Sequence, residues 1–273
     1  WYDGTPHPWE FKRVWHLEPS LSDPDTVYAG SINPFNDSDG SFLRSSDGGR
    51  NWESLFTGLP VHAIATHPTD GNTVYFGTNT DQFGTTGLVR SRDGGETFDD
   101  VYGASGELAF LDVTGIEVGP VNPQNIYLLT RSPFTFPVYY QFAYSNNGGN
   151  DWFGTGLTES TLYDVAVDPT EPRRIFVGSS AGLFRSTNGG QSFEGLTSGL
   201  PGTTELAAYS IVIDGNDNGA VYAVTSDGLL KSVDAGGAWA YADTGLDPAL
   251  IWDVATDPDT GGVLYAATTG GGV

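Results

Sequence analysis

The sequence predicts an all-β fold made of repeated four-stranded antiparallel units, and three observations carry that expectation. First, one eight-residue pattern occurs five times, at residues 45–52, 91–98, 145–152, 186–193 and 232–239. It has Ser at its first position, Asp or Asn at its third, Gly at its fifth and Trp or Phe at its eighth. Second, the copies recur at spacings of 46, 54, 41 and 46 residues, a period that marks a propeller or a similar array. Third, the stretches between copies read as short alternating strands separated by Gly, Pro and Asp turns. The prediction is a β-propeller of four-stranded blades, six in number, with the last blade closed by the N-terminal segment.

The repeat itself is a turn. A short acidic or amide side chain is expected to bond backbone N–H groups two residues on, and the glycine supplies a conformation that other residues resist. The ring at the eighth position anchors the turn on the core. Ala235 replaces the first Gly of the pair in the last copy, which reads as a permissive position, whereas Gly49, Gly95, Gly149, Gly190 and Gly236 read as required. The unit around the fourth copy shows the plan of a blade. Residues 162–167 form an alternating strand, 168–172 a turn, 175–178 and 182–186 two further strands, and Phe193 begins a fourth.

In chain order, the blades are expected at residues 13–60, 61–112, 113–160, 161–205 and 206–250, all within one domain spanning 1–273. The sixth, 251–273, supplies only two strands and the start of a third, so residues 1–12 are expected to complete it. The alternative is a larger ring whose remaining blades were removed. The chain starts at Trp1 without Met, which reads as a mature or trimmed product.

The repeated motif resembles the Asp-box, or BNR repeat, of sialidase-like propellers, xyloglucanases, sortilin-type receptors and photosystem assembly factors. The resemblance implies the propeller fold and says little about activity, because one fold hosts unrelated functions. Sialidase-like relatives imply three arginines on the top face to hold a substrate carboxylate. Here Arg44, Arg90 and Arg185 fall on third strands, Arg50 and Arg92 inside repeats, and Arg173 and Arg174 in a bottom turn. Only Arg13 and Arg131 remain for the top, so a sialidase is disfavoured. Xyloglucanase-like relatives imply a cleft between two propellers with one catalytic Asp from each, and this chain supplies one propeller. Photosystem assembly factors imply a basic patch, which a chain of net charge −23 does not offer.

Bulk composition narrows the partners. Asp and Glu number 34 against 11 Lys and Arg, which argues against nucleic acid and against anionic membrane surfaces. No run of 18 apolar residues exists, so no membrane insertion by a helix is expected. Dispersed acid, two lysines and no cysteine suggest an extracellular or cell-surface protein, of a salt-adapted organism, in which screening relieves self-repulsion. The absence of cysteine excludes disulfides, thiol catalysis and thiolate metal sites.

Aligning the innermost strands on Pro19, Pro68, Pro120, Pro169, Gly215 and Pro258 places Trp15, Ile64, Ile116, Val165, Ile211 and Val254 in a core column four residues earlier. Three residues earlier come His16, Ala65, Glu117, Ala166, Val212 and Ala255, mostly small, with His16 and Glu117 the exceptions. Five residues earlier stand Asp164 and Asp253, with Arg13, His62, Tyr163 and Trp252 one position further out. These line the expected channel mouth. Paired carboxylates beside aromatics suit a glycosidase, in which one acts as acid and one as nucleophile or base; a non-catalytic carbohydrate site has the same parts.

The loops expected on the same face, residues 31–41, 78–87, 99–112 and 130–141, add Phe35, Phe83, Tyr102, Phe110, Phe134, Phe136, Tyr139 and Tyr140. Clustered aromatics suggest a surface that binds a glycan or a protein partner. A calcium-loop fragment, Asp214, Asn216 and Asn218, lacks the terminal Glu of the full pattern and reads chiefly as a turn, and no other cofactor is indicated. The functional expectation is a non-catalytic binding propeller. The alternatives are a glycoside hydrolase using Asp164 and Asp253, and a self-assembling structural subunit.

Overall fold

The computed structural model describes residues 14–33, 36–79, 87–101, 111–132, 140–157, 161–196, 200–201, 206–217, 219–245 and 251–268. They form an all-β molecule without helices among those residues. The first sheet contains β1 (Val14–Pro19), β2 (Val27–Asn33), β3 (Asn36–Ser45) and β4 (Glu53–Thr57); the second β5 (Val61–Thr66), β6 (Val74–Thr78), β7 (Leu88–Ser91) and β8 (Asp99–Asp100). The third contains β9 (Asp112–Val118), β10 (Ile126–Arg131), β11 (Tyr140–Ser145) and β12 (Phe153–Gly154). The fourth contains β13 (Leu162–Val167), β14 (Ile175–Ser179), β15 (Gly182–Ser186) and β16 (Glu194–Gly195). The fifth contains β17 (Ala208–Asp214), β18 (Ala220–Thr225), β19 (Gly228–Ser232) and β20 (Ala240–Tyr241), and the sixth β21 (Ile251–Thr256) and β22 (Leu264–Thr268).

Each sheet is an antiparallel meander in which neighbours in sequence are neighbours in space. The first strands of successive sheets pack in order, β1 on β5, β5 on β9, β9 on β13, β13 on β17 and β17 on β21. Burial follows from strands that face neighbours on both sides. Val74–Thr78, Ile175–Ser179 and Ala220–Thr225 are buried along their whole length, which is why they read as apolar runs and not as strict alternation. Phe42, Phe76 and Phe98 pack together across the first two sheets, with ring centroids 4.7 to 6.2 Å apart.

The repeated turn has one geometry in all five places. The serine Oγ accepts the N–H of the glycine four residues on at 2.7 to 2.9 Å. The Asp or Asn Oδ1 accepts the N–H four residues on, not two, at 2.8 to 3.0 Å. The turn closes against the first hairpin turn of its own sheet through Gly48 N–H to Asp25 O, Gly94 to Asn72, Gly148 to Gln124 and Gly189 to Arg173. Both features therefore share one end of the molecule.

Between sheets, arginines complete the attachment. Arg44 donates to the carbonyl of Gly94, Arg90 to Gly148 at 3.0 Å and Arg185 to Ala235 at 2.5 Å. Each reaches the repeated turn of the following sheet. The second glycine of the turn sits against the preceding sheet. A Cβ on Gly149 would lie 2.6 Å from Val101, on Gly190 2.8 Å from Phe142 and on Gly236 2.9 Å from Phe176.

Strand register corrects the sequence alignment at one place. Pro19 pairs with Val27 as Thr66 pairs with Val74 and Val167 with Ile175, so Leu21, not Pro19, is the first strand's equivalent of Pro68 and Pro169. Leu17, not Trp15, occupies the core column. Among the described residues Leu17 is 58% exposed, whereas Ile64, Ile116, Val165, Ile211 and Val254 are buried. The expected loop at 31–41 is largely paired strand, with Ser31 opposite Ser41 and Ile32 opposite Gly40. The expected completion of the sixth sheet by residues 1–12 lies outside the described residues.

Candidate functional site

All six innermost strands break register at the same point, one residue being skipped in the pairing with the second strand. The skipped residues are Trp15, His62, Thr114, Tyr163, Tyr209 and Trp252. Such a bulge bends the strand and re-aims its side chain. It occurs at the opposite end from the repeated turns, where the innermost strands begin. Tyr163, Tyr209 and Trp252 are 40%, 37% and 60% exposed, and the rings of Tyr163 and Tyr209 meet with centroids 5.3 Å apart and planes tilted by 55°. His62 Nε2 lies 2.6 Å from Asn79 Oδ1.

The next residue on each strand forms a second tier: His16, Ala63, Gly115, Asp164, Ser210 and Asp253. Hydrogen bonds knit this tier across three sheets. Asp164 Oδ1 accepts the N–H of Val165 at 2.8 Å, and its Oδ2 accepts the N–H of Ile211 on the neighbouring sheet at 2.6 Å. Asp253 Oδ1 accepts Ser210 Oγ–H at 2.8 Å and the N–H of Val254 at 2.9 Å. The carboxylates are thereby held in fixed orientation beside the exposed rings.

Two residues deeper lie Glu18 and Glu117, at equivalent positions once the register is corrected. His16 Nε2 stands 3.5 Å from Glu18 Oε2. Burial pushes Glu117 well above the usual carboxylate range, and the charges of Glu18 and Asp164 add to the effect. Burial likewise raises Asp164 to about 7, against the bonds from Ile211 and Val165, with the Asp253 charge raising it and His16 lowering it. Asp164 and Glu117 are enclosed by protein yet keep partial exposure to the channel. Groups on the first, third, fourth and sixth sheets thus influence one another, so the innermost strands converge on a common axis.

Of the residues expected at the site, Asp164 and Tyr163 lie on the fourth sheet and Asp253 and Trp252 on the sixth, both joined to the fifth by side-chain contacts, whereas His62 takes the equivalent bulge position on the second sheet. Tyr209 and Ser210 join them, though the sequence reading passed over both; Tyr209 stands six residues before Gly215, the spacing already noted for Tyr163 and Trp252. Trp15, not Arg13, takes the first strand's bulge position, and Arg13 lies outside the described residues. Phe35, Phe83, Tyr102, Phe110, Phe134, Phe136 and Tyr139 also lie outside them, and Tyr140 is placed only as the first residue of β11. Arg131 pairs with Asp112, its Nη2 2.7 Å from Oδ2.

The calcium fragment forms an Asx turn. Asp214 Oδ1 accepts the N–H groups of Asn216 and Asp217 at 2.9 and 3.1 Å, and Oδ2 accepts that of Gly262 at 2.7 Å. Asn216 donates to the Pro258 carbonyl at 2.8 Å, and Asn218 lies outside the described residues. The segment docks the fifth sheet on the sixth.

No protein-family model matches the chain, and no curated protein does. Solved structures do, and they place it in the β-propeller class. The chain is similar to the GH74 xyloglucanase of Xanthomonas campestris, with a TM-score of 0.73 and 17% identity over 96% of this chain and 44% of that one. It resembles the extracellular domain of a one component system of B. thetaiotaomicron, with a TM-score of 0.65 and 16% identity over 94% of this chain and 31% of that one. It also resembles YCF48 bound to a D1 peptide, with a TM-score of 0.62 and 10% identity over 93% and 76%. The chain spans less than half the length of the first two. Glycoside hydrolases and binding proteins therefore share this fold.

Proposed function

We propose that this propeller is an extracellular, non-catalytic module that binds a glycan at its channel mouth. The observation that supports the reading is the rank of bulge-borne rings, Tyr163, Tyr209 and Trp252, beside the oriented carboxylates of Asp164 and Asp253 and the Ser210 hydroxyl. Aromatic faces take the apolar face of a sugar ring, while a few fixed polar groups orient its hydroxyls. Both Asp164 oxygens already accept main-chain N–H groups, which suits a positioning group better than a proton carrier. Affinity electrophoresis through gels containing soluble polysaccharides tests the reading. Retardation by a subset of them is expected, and Tyr209→Ala should weaken it at least tenfold; free migration through every polysaccharide would refute it.

A second reading is supported by the raised Asp164. A carboxyl held up to about 7 and set in the same tier as a second carboxylate has the make-up of a glycosidase acid, and glycoside hydrolases are among the similar structures. Under this reading new reducing ends appear on incubation with the retained polysaccharide, and Asp164→Asn lowers their rate by at least a hundredfold with no change in melting temperature. Under the binding reading no reducing ends appear.

A further inference from the structure

Beneath the aromatic mouth lies a cavity of about 340 Å³ between β9, β13 and β17. Its walls are aliphatic, including Pro120, Pro169, Val212 and Ile213, except for Glu117 and Asp164; among the described residues no lysine or arginine lines it. Glu117 is half-buried, lines this cavity and receives no hydrogen bond from the described residues. Among the described residues the charges that act on it come from Glu18 on β1 and Asp164 on β13, and those that act on Asp164 from Asp253 on β21 and His16 on β1. At the matching depth β5 and β17 present only Ala65 and Val212. His16, the one positive candidate among the described residues, is already engaged by Glu18.

A half-buried carboxyl without hydrogen bonds carries a desolvation cost, and neighbours of like charge add to it. A cation in the cavity would remove both. A metal ion needs several oxygen ligands at short range, and among the described residues no group of three acids or histidines is placed to supply them. A charged head on a carbon chain fits better, because its stem can lie along apolar walls while its head meets a carboxylate.

We propose that this cavity binds an organic cation, an ammonium or guanidinium on an aliphatic stem, with its charge between Glu117 and Asp164 and its stem against Pro120, Pro169, Val212 and Ile213. The site lies below the mouth and shares Asp164 with it, while Glu117 and the aliphatic walls have no part in the carbohydrate reading. Burial raises both carboxyls, Asp164 to about 7 and Glu117 well above the usual carboxylate range. A bound cation favours their ionised forms and displaces protons from them, so affinity is expected to rise with pH.

Isothermal titration with n-butylamine and n-butylguanidine tests the proposal, with n-butanol and potassium chloride as controls. Saturable one-to-one binding of both cations is expected, at least tenfold tighter at pH 8 than at pH 5, with proton release read from heats in buffers of different ionisation enthalpy. Glu117→Gln should weaken binding at least tenfold. Should that variant not fold, Val212→Phe, which fills the cavity from its wall, should have the same effect. The proposal is overturned by absence of binding, by equal affinity for n-butanol or potassium, or by affinities that neither variant alters.

Discussion

At the residue scale, the two glycines of the repeated turn have different duties. The first adopts φ of 68° at Gly48, 72° at Gly94, 69° at Gly148 and 76° at Gly189, and Ala235 is held at 59° in the fifth copy. The position is thus left-handed, not permissive, and Ala235 sits there at a cost of about 1 kcal/mol. Ala235→Gly should stabilise the protein by about 1 kcal/mol in chemical denaturation, without altering binding. The second glycine is constrained twice, by φ and by the preceding sheet. Gly190→Ala, with φ of 87° and Phe142 in the path of its Cβ, should cost about 2 kcal/mol or more. The turn was legible because its chemistry is local, Ser, Asp and Gly acting within eight residues. The register of β1 was not, because Pro19 served as a landmark, and proline fits the end of an edge strand as well as a turn.

At the element scale, the bulge at the start of every innermost strand sets one residue per sheet outside the ladder pairing, and the proposed site is built on those residues. Five of the six skipped positions carry aromatic or imidazole rings, and only Thr114 departs. Spacing from the first turn made His62, Tyr163 and Trp252 visible in the sequence, and the same spacing marks Tyr209. The hydrogen bonds that join Asp164 to Ile211 and Ser210 to Asp253 were not visible, because they depend on the offset between neighbouring sheets. The sixth sheet raises a separate question of completion. If residues 1–12 supply its outer strand, their deletion should lower the melting temperature by several degrees and speed amide exchange in β22; unchanged values would show that another element, or none, covers it.

At the scale of the whole molecule, charge governs the response to solvent. A net charge of −23 is self-repulsive at low ionic strength, so the melting temperature should rise as sodium chloride is raised toward 1 M. A flat response would show that repulsion is not limiting. The pH response has two opposed parts. Asp164 and Glu117 have folded-state pKa values raised above their unfolded values, so the folded protein binds more protons and loses stability as pH rises from about 4 through 7. Asp47 and Asp93 are held down to about 2, chiefly by bonds from Asn51 and from Thr97, so their contribution is present above about 4 and is lost as pH falls toward 2. Maximum stability is therefore expected between about pH 4 and 5, and Glu117→Gln should flatten the alkaline slope.

A glycan array probed in parallel with the native chain and with Trp252→Ala decides whether the rank of bulge-borne aromatics binds carbohydrate. The native protein should retain a restricted set of glycans, and the variant, at unchanged melting temperature, should lose at least tenfold in signal on that set. Silence of the native protein on every glycan, or equal retention by both proteins, would contradict it.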